Sequence, residues 1–186
     1  QEADVLNRQR QTVDRHLTKL AEGMVEADAT YESDRILVLG HDDFHPGVVG
    51  IVAARISRRF NKPTVLVAMQ GATGRGSGRS IPGFHLYNAL NECSGLMNRF
   101  GGHAQAAGLE ISRENMGQLR HAINEIADKH IRQADYATPT LDIDAAVALA
   151  ELDVGGVRVL EALEPFGHGN PEPVFCADDV EVVAAP

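Results

Sequence analysis

Gly74-Arg75-Gly76-Ser77-Gly78-Arg79-Ser80 places two guanidinium groups four residues apart, among three glycines and two hydroxyls. Those are the groups that hold an anion. Arginine offers a planar fork of donors to phosphate or carboxylate oxygens, and the hydroxyls add neutral donors. Glycine lets backbone N–H groups approach a ligand and share one concavity. The Gly-Lys-Ser/Thr ending of a Walker loop is absent, so that type of phosphate cradle is excluded. A flexible hairpin with solvated arginines has the same composition, but the density of donors favours an anion site.

Phe100-Gly101-Gly102-His103-Ala104-Gln105-Ala106-Ala107-Gly108 is the second candidate. Its double glycine permits a sharp turn that aims the His103 imidazole and nearby amides at a ligand, with small residues forming a tight helical turn behind. A lone histidine is more often a hydrogen-bond donor than a metal ligand, so His103 is read as an anion donor. His41-Asp42-Asp43-Phe44-His45 has metal-ligand residue types, yet Asp43 or His45 beside Pro46 suits a helix cap better. His16, His121 and His130 fall on helical surfaces; His85 and His168 stand at loop edges without evident partners. No nucleophile elbow, carboxylate dyad or two-metal ligand set is present. On its own residues the chain is an anion-binding domain without a catalytic centre.

The net charge of −9 argues against a nucleic-acid partner only as an average. Residues 44–109 hold Arg55, Arg58, Arg59, Lys62, Arg75, Arg79 and Arg99 against the single acid Glu92, a window charge of +6. From residue 135 onward, eleven acids face only Arg158. A basic middle between acidic flanks suits an anion site with solubilising ends. At 186 residues, 44% hydrophobic and 23% charged, the chain reads as a globular domain plus a piece of another. It opens on Gln1 and stops at Pro186, which reads as an excised piece. No apolar run approaches membrane-span length, and no signal peptide opens the chain. Cys93 and Cys176, without a CxxC, read as buried thiols in a reducing cytoplasm.

These groups need elements to hold them. Leu6, Val13, Leu17, Leu20 and Met24 form one stripe of an amphipathic helix over residues 1–30, a connector between domains. Residues 36–39 and 64–68 read as short buried strands, with a helix opening at His45-Pro46-Gly47 between them. Strand, helix and strand make a parallel crossover unit, so the class is α/β. The segments 71–80 and 99–108 read as glycine-rich loops. Residues 109–111 are strand-like, and a helix follows with Met116, Leu119, Ile123, Ile126 and Ile131 on its core face. Beyond a linker at 136–140 come a helix around 157–163 and strand-like runs at 174–176 and 180–183. That end is expected to be the start of a second, truncated β domain.

Taken together, three motifs carry a resemblance. His45-Pro46-Gly47-Val48-Val49-Gly50-Ile51-Val52-Ala53, Gly76-Ser77-Gly78-Arg79-Ser80-Ile81-Pro82-Gly83-Phe84 and Phe100-Gly101-Gly102-His103 to Ala106-Ala107-Gly108 occur in that order. Their order resembles the DHHA1 part of the DHH/DHHA1 phosphoesterase family, in its RecJ branch of single-stranded-DNA-specific exonucleases. Pro165-Phe166-Gly167-His168-Gly169-Asn170-Pro171-Glu172-Pro173-Val174-Phe175 resembles the stretch leading into the OB-fold of that branch. Phe100 stands where many DHHA1 proteins have a third glycine, and Asp43-Phe44 where the branch often has Gly-Trp.

The resemblance implies an α/β DHHA1-like domain over 31–135, with a mostly parallel sheet flanked by helices. The connector helix precedes it, and the start of an OB-like β domain occupies 136–186. It also implies processive 5′→3′ hydrolysis of single-stranded DNA in repair and recombination, by a two-metal route using Mn²⁺ or Mg²⁺. The metal would be bound by an upstream DHH domain that this chain lacks, so the chain alone would hold no metal and cut nothing. The implied partners are single-stranded DNA and that upstream domain, with no membrane. By position, Ser77 and Arg79 would grip substrate phosphate with Arg75 in support. Gly76, Gly78 and Ser80 would complete that loop. His103 with the Gly101-Gly102 amides would line the facing cleft, and His45-Pro46-Gly47 would start the adjoining helix. Two alternatives stay open: a phosphoesterase acting on short oligonucleotides or mononucleotides, and a non-catalytic nucleic-acid-binding module.

Overall fold

In a computed structural model the described residues are 2–131, 141–167, 169–181 and 183. Two compact units divide the chain, Gln1–Pro139 and Thr140–Pro186. In the first, helix α1 (Glu2–Ala27) and a short helix α2 (Thr30–Ser33) lead into strand β1 (Leu37–His41). Helix α3 (Val49–Phe60) and strand β2 (Thr64–Gln70) follow, and β1 pairs with β2 in parallel, the crossover unit that the sequence predicts. Strand β3 (Thr73–Arg79), helix α4 (Leu86–Glu92), strands β4 (Arg99–Gly102) and β5 (Ala106–Ser112), and helix α5 (Met116–Ile131) complete the unit.

The five strands lie in the order β1-β2-β3-β5-β4. Only β1 and β2 are parallel; β2 with β3, β3 with β5 and β4 with β5 are antiparallel. The expectation of a mostly parallel sheet is therefore corrected. Its physical origin is the length of the connections. A parallel return needs a crossover of a dozen or more residues, whereas a tight turn suffices for an antiparallel pair. Gly71, at φ +65°, makes such a turn between β2 and β3.

Alternation along the strands separates two cores. Val65, Val67, Met69, Ala107, Leu109 and Ile111 face α4 and α5, where Leu86, Leu90, Leu119 and Ile123 are fully buried. Leu37, Leu39, Leu66 and Ala68 face the other way, against α3 and α1. The buried stripe of α1 is Asp14, Leu17, Ala21 and Val25, while Val13 is 40% exposed. The stripe inferred from apolar residues alone was thus rotated, because one position on the packed face is a carboxylate. Asp14, 2% exposed, accepts from the Arg55 guanidinium of α3 at 2.8 Å. Arg59 reaches Glu22 at 3.1 Å and Glu26 at 2.7 Å, so a seam of ion pairs ties α1 to α3. The side chains of Leu6, Arg8, His130 and Ile131 lie outside the described residues, as do the linker at 136–140 and His168.

Helix α3 begins at Val49, not at His45-Pro46-Gly47, and its N-cap Val48 has no capping side chain. His45 works one step earlier. Its carbonyl accepts from the N–H groups of Val48 and Val49 at 2.9 and 3.0 Å, and its Nδ1 accepts from Gly47 N–H at 3.1 Å. His85 caps α4 through Nδ1, which accepts from Asn88 N–H at 3.3 Å, so it does have a partner. Phe44 is buried in the α1–α3 core, with its ring 5.8 Å from that of His41. Burial raises the Cys93 thiol to about 11, which keeps it protonated and unreactive. Cys176, in contrast, is only partly buried.

The second unit pairs two-residue strands, β6 (Ala145–Ala146) and β7 (Phe175–Cys176), in parallel. Helix α6 (Val154–Glu161) is capped by Asp153, whose carboxylate accepts from Gly156 N–H at 2.7 Å. Residues 180, 181 and 183 form no strand, contrary to the reading of their β-branched side chains. Leu141, Val154 and Val159 remain 71%, 71% and 70% exposed.

Candidate nucleic-acid interface

The segment read as a glycine-rich loop is the central strand β3 of the sheet. Its sequence alternates with period two, and the alternation separates two jobs. Gly74, Gly76 and Gly78 point into the α4–α5 core. A Cβ on Gly78 would lie 2.7 Å from Leu86 Cδ2, one on Gly74 2.6 Å from Val67 Cγ1, and one on Gly76 3.0 Å from Leu109 Cγ. These glycines leave room for their neighbours' side chains and do not approach a ligand. Arg75, Ser77 and Arg79 alternate onto the opposite face.

On that face α3 covers β2 and β3 but leaves β5 and β4 open, where Gly108, Gly101 and Arg99 are exposed. The second predicted loop is the β4–β5 hairpin, with His103, Ala104 and Gln105 at its tip instead of a helical turn. Gly102, at φ +149°, has a backbone conformation that L side chains rarely adopt, and a Cβ there would meet Ala106 O at 2.4 Å.

Register then arranges the open face in three rows. Arg79 is opposite Ala106, whose carbonyl accepts from His103 N–H at 2.8 Å. Ser77 is opposite Gly108, which is opposite Gly101. Arg75 is opposite Glu110, which is opposite Arg99. The outer rows are four residues apart along β3, or about 13 Å at the rise of a strand. The sheet thus brings the two glycine motifs onto one surface.

The third motif reaches the same place. Arg79 is partly buried, and its Nη1 donates to Gly78 O at 2.8 Å and Ser77 Oγ at 3.3 Å. A Cβ on Gly50, in the first turn of α3, would stand 2.9 Å from Arg79 Nη2 and 3.1 Å from Ser77 Oγ. The helix therefore packs close over this corner only because residue 50 has no side chain, and its positive dipole end adds to the Arg79 charge. Gly50→Ala is expected to raise the melting temperature, since alanine favours a helix over glycine by ~1 kcal/mol. The same substitution is expected to displace Arg79 and weaken anion binding. Calorimetry and an anion titration on one sample check both signs.

The site's charge is narrower than the sequence window suggests. Arg55 and Arg59 are spent on α1, and Lys62 donates to the carbonyls of Tyr31 and Glu32 at 3.0 and 2.8 Å. Arg58, Arg75, Arg79 and Arg99 make no ion pair among the described residues. Ser80 is committed as a donor to Phe84 O at 2.7 Å, which holds the turn after β3. His103 Nδ1 accepts from Gln105 N–H at 3.4 Å. Gly50, Arg99, Gly108 and Glu110 are not marked as site residues by sequence; the role of Gly50 emerges from the packing of α3 on β3 and those of the other three from strand register.

The His41-Asp42-Asp43 string does not fit a metal. His41 Nδ1 accepts from Asp43 N–H at 3.1 Å, and Asp42 pairs with Arg113. Among the described residues no three His, Cys, Asp or Glu side chains are grouped to hold a metal ion. Nor is any described helix long and apolar enough to cross a membrane.

A sheet with one face under helices and a half-open face carrying these motifs defines a domain class. The DHHA1 domain model matches residues 33–129, and the chain belongs to the DHHA1 family. The RecJ OB domain model matches residues 143–185, the order of domains that the motifs anticipate. The chain is 35% identical over 174 residues to the single-stranded-DNA-specific exonuclease RecJ of Bacillus subtilis, covering 92% of this chain and 22% of that protein. It is 33% identical to RecJ of Salmonella typhimurium, covering 94% of this chain and 31% of the relative. The crystal structure of RecJ in complex with Mg²⁺ from Thermus thermophilus superposes with a TM-score of 0.77 at 30% identity, over 94% of this chain and 26% of that one. The chain thus spans about a quarter of the length of the relatives it matches.

Proposed function

We propose that this chain is the strand-holding part of a 5′→3′ single-stranded-DNA-specific exonuclease acting in DNA repair and recombination in the cytoplasm. One observation carries the reading: three arginines without an acid partner within ion-pair distance among the described residues stand with Ser77 on a half-open sheet face, with His103 at the hairpin tip beside it. The names of the relatives agree with it. In this reading the phosphodiester is cut by metal-assisted chemistry in an upstream DHH domain, with Mn²⁺ or Mg²⁺ held there. The T. thermophilus RecJ structures with Mg²⁺ and Mn²⁺ support that choice of metals. The residues of this chain bind and orient. Arg79, Ser77 and the first turn of α3 take one phosphate, with His103 two strands away across the same row.

Fluorescence anisotropy with a labelled single strand, titrated with salt, tests the reading. Each phosphate contact contributes ~0.7 to the log–log salt slope on single strands. Arg79→Glu is expected to flatten the slope by about that amount or more, whereas reversal of the exposed Arg15 and Lys19 on α1 leaves it unchanged. A slope that follows Arg15 and Lys19 and ignores Arg79 would move the strand off the sheet.

A further inference from the structure

We propose that the row Arg75–Glu110–Arg99 is a second phosphate site for the same strand, separate from the Arg79 corner. The inference rests on the reading of this chain as a single-strand binder.

Arg75, Arg99, Gly101, Gly108 and Glu110 line a concavity of about 540 Å³ on the open half of the sheet. Arg75 and Arg99 flank Glu110 from the two neighbouring strands. Directly opposed residues on one sheet face stand ~5 Å apart at Cβ. Arg75 and Arg99, one on each side of Glu110, thus stand roughly 10 Å apart at Cβ and line the same concavity, and neither forms an ion pair with Glu110 or any other acid among the described residues. Nor does either donate a hydrogen bond to another protein group there, in contrast to Arg79, which is tied to Gly78 and Ser77. Two forks with unused donors above one concavity suit an oxyanion that accepts from both. A single carboxylate between them leaves the row at +1.

The ground between the two sites supports one continuous ligand. Gly101 and Gly108 sit between the rows, and a Cβ on either would meet almost nothing: no heavy atom within 4 Å of Gly101, and Gly76 O at 3.9 Å from Gly108. Packing does not require glycine at these two positions, unlike the three that face the core. Their effect is to keep the backbone bare where the nucleotides joining the two bound phosphates would lie. A strand spanning the rows crosses about 13 Å, so a dinucleotide, whose two phosphates are immediate neighbours, reaches only one of them.

The test is made on the 186-residue chain at low salt, with two 5′-phosphorylated thymidine probes, a dinucleotide and an octanucleotide. Affinities are read by competition against a labelled octanucleotide. Arg75→Gln with Arg99→Gln is expected to weaken the octanucleotide by about tenfold or more and leave the dinucleotide unchanged. Arg79→Gln is expected to weaken both probes. Glu110→Gln is expected to tighten the octanucleotide severalfold, because it removes the one negative charge from the row. Gly108→Val is expected to weaken the octanucleotide with no fall in melting temperature. If the arginines serve only to pair with Glu110, Glu110→Gln lowers the melting temperature and tightens nothing, which overturns the proposal. Equal losses on both probes for the Arg75 and Arg99 variant, or no loss on either, overturn it as well. Failure of the native chain to bind either probe would instead sink the strand-holding function itself.

Discussion

Arg79→Ala is expected to lower the affinity of this chain for a 5′-phosphorylated single strand by roughly 10- to 150-fold. That is the value of a charge-assisted hydrogen bond, about 1.5–3 kcal/mol. The upper part of the range is favoured, because Arg79 is partly buried and pre-placed by its bonds to Gly78 and Ser77. Less side-chain freedom is then lost on binding. In an enzyme that contains this chain, the same loss appears in kcat/KM. A folded Arg79→Ala protein that binds as tightly as the parent would remove the β3–α3 corner from the binding surface. Equilibrium binding together with a thermal melt decides between the two.

Gly102→Ala is expected to be the most damaging small substitution in the first unit. Its Cβ would lie 2.4 Å from Ala106 O and 2.6 Å from Ala107 Cα, both backbone atoms that cannot swing aside. The strained φ of +149° adds to that clash. Overpacking and backbone strain each cost ~1–3 kcal/mol, so a loss of about 3 kcal/mol or more follows. For a chain of this size that lowers the melting temperature by roughly 6–12 °C. Gly101→Ala, one residue away with open space around it, serves as the control and is expected to leave stability nearly unchanged. Equal melts for the two variants would mean that the hairpin rearranges freely.

The sequence disclosed the crossover unit because Ile36 to Leu39 and Thr64 to Ala68 are β-branched or aliphatic runs with a helix between them. It pointed to the candidate site residues because arginine, serine and histidine in those strings have few other uses. It misled about the element that bears them. Glycine is a poor strand former in isolation, so three glycines in seven residues look like a loop. In the folded chain Leu86, Val65, Val67 and Leu109 occupy the space those glycines leave, and tertiary packing overrides local preference. Charge counting failed for a similar reason. Arg55 belongs to the basic window along the chain but in space neutralises Asp14 on α1, a carboxylate hidden on an otherwise apolar stripe. Sequence distance says nothing of such partners. Glu110 and Arg99 acquire meaning only when register sets them beside Arg75.

The strict alternation of β3 also bears on how the chain finds its fold. A slip of one residue against β2 and β5 would turn Arg75, Ser77 and Arg79 toward Leu86, Val67 and Leu109, and would bring the three glycines out to water. Two guanidinium charges would lose hydration with no acid to meet them, a penalty of several kcal/mol for each ion. Slips by two residues keep the faces but bring Ser80 to the hollow at Gly78, against Leu86, or Ala72 to the hollow at Gly74, against Val67, so they lose the fit between side chain and hollow. A strand with a weak intrinsic preference for the sheet is therefore one whose alignment tolerates little error.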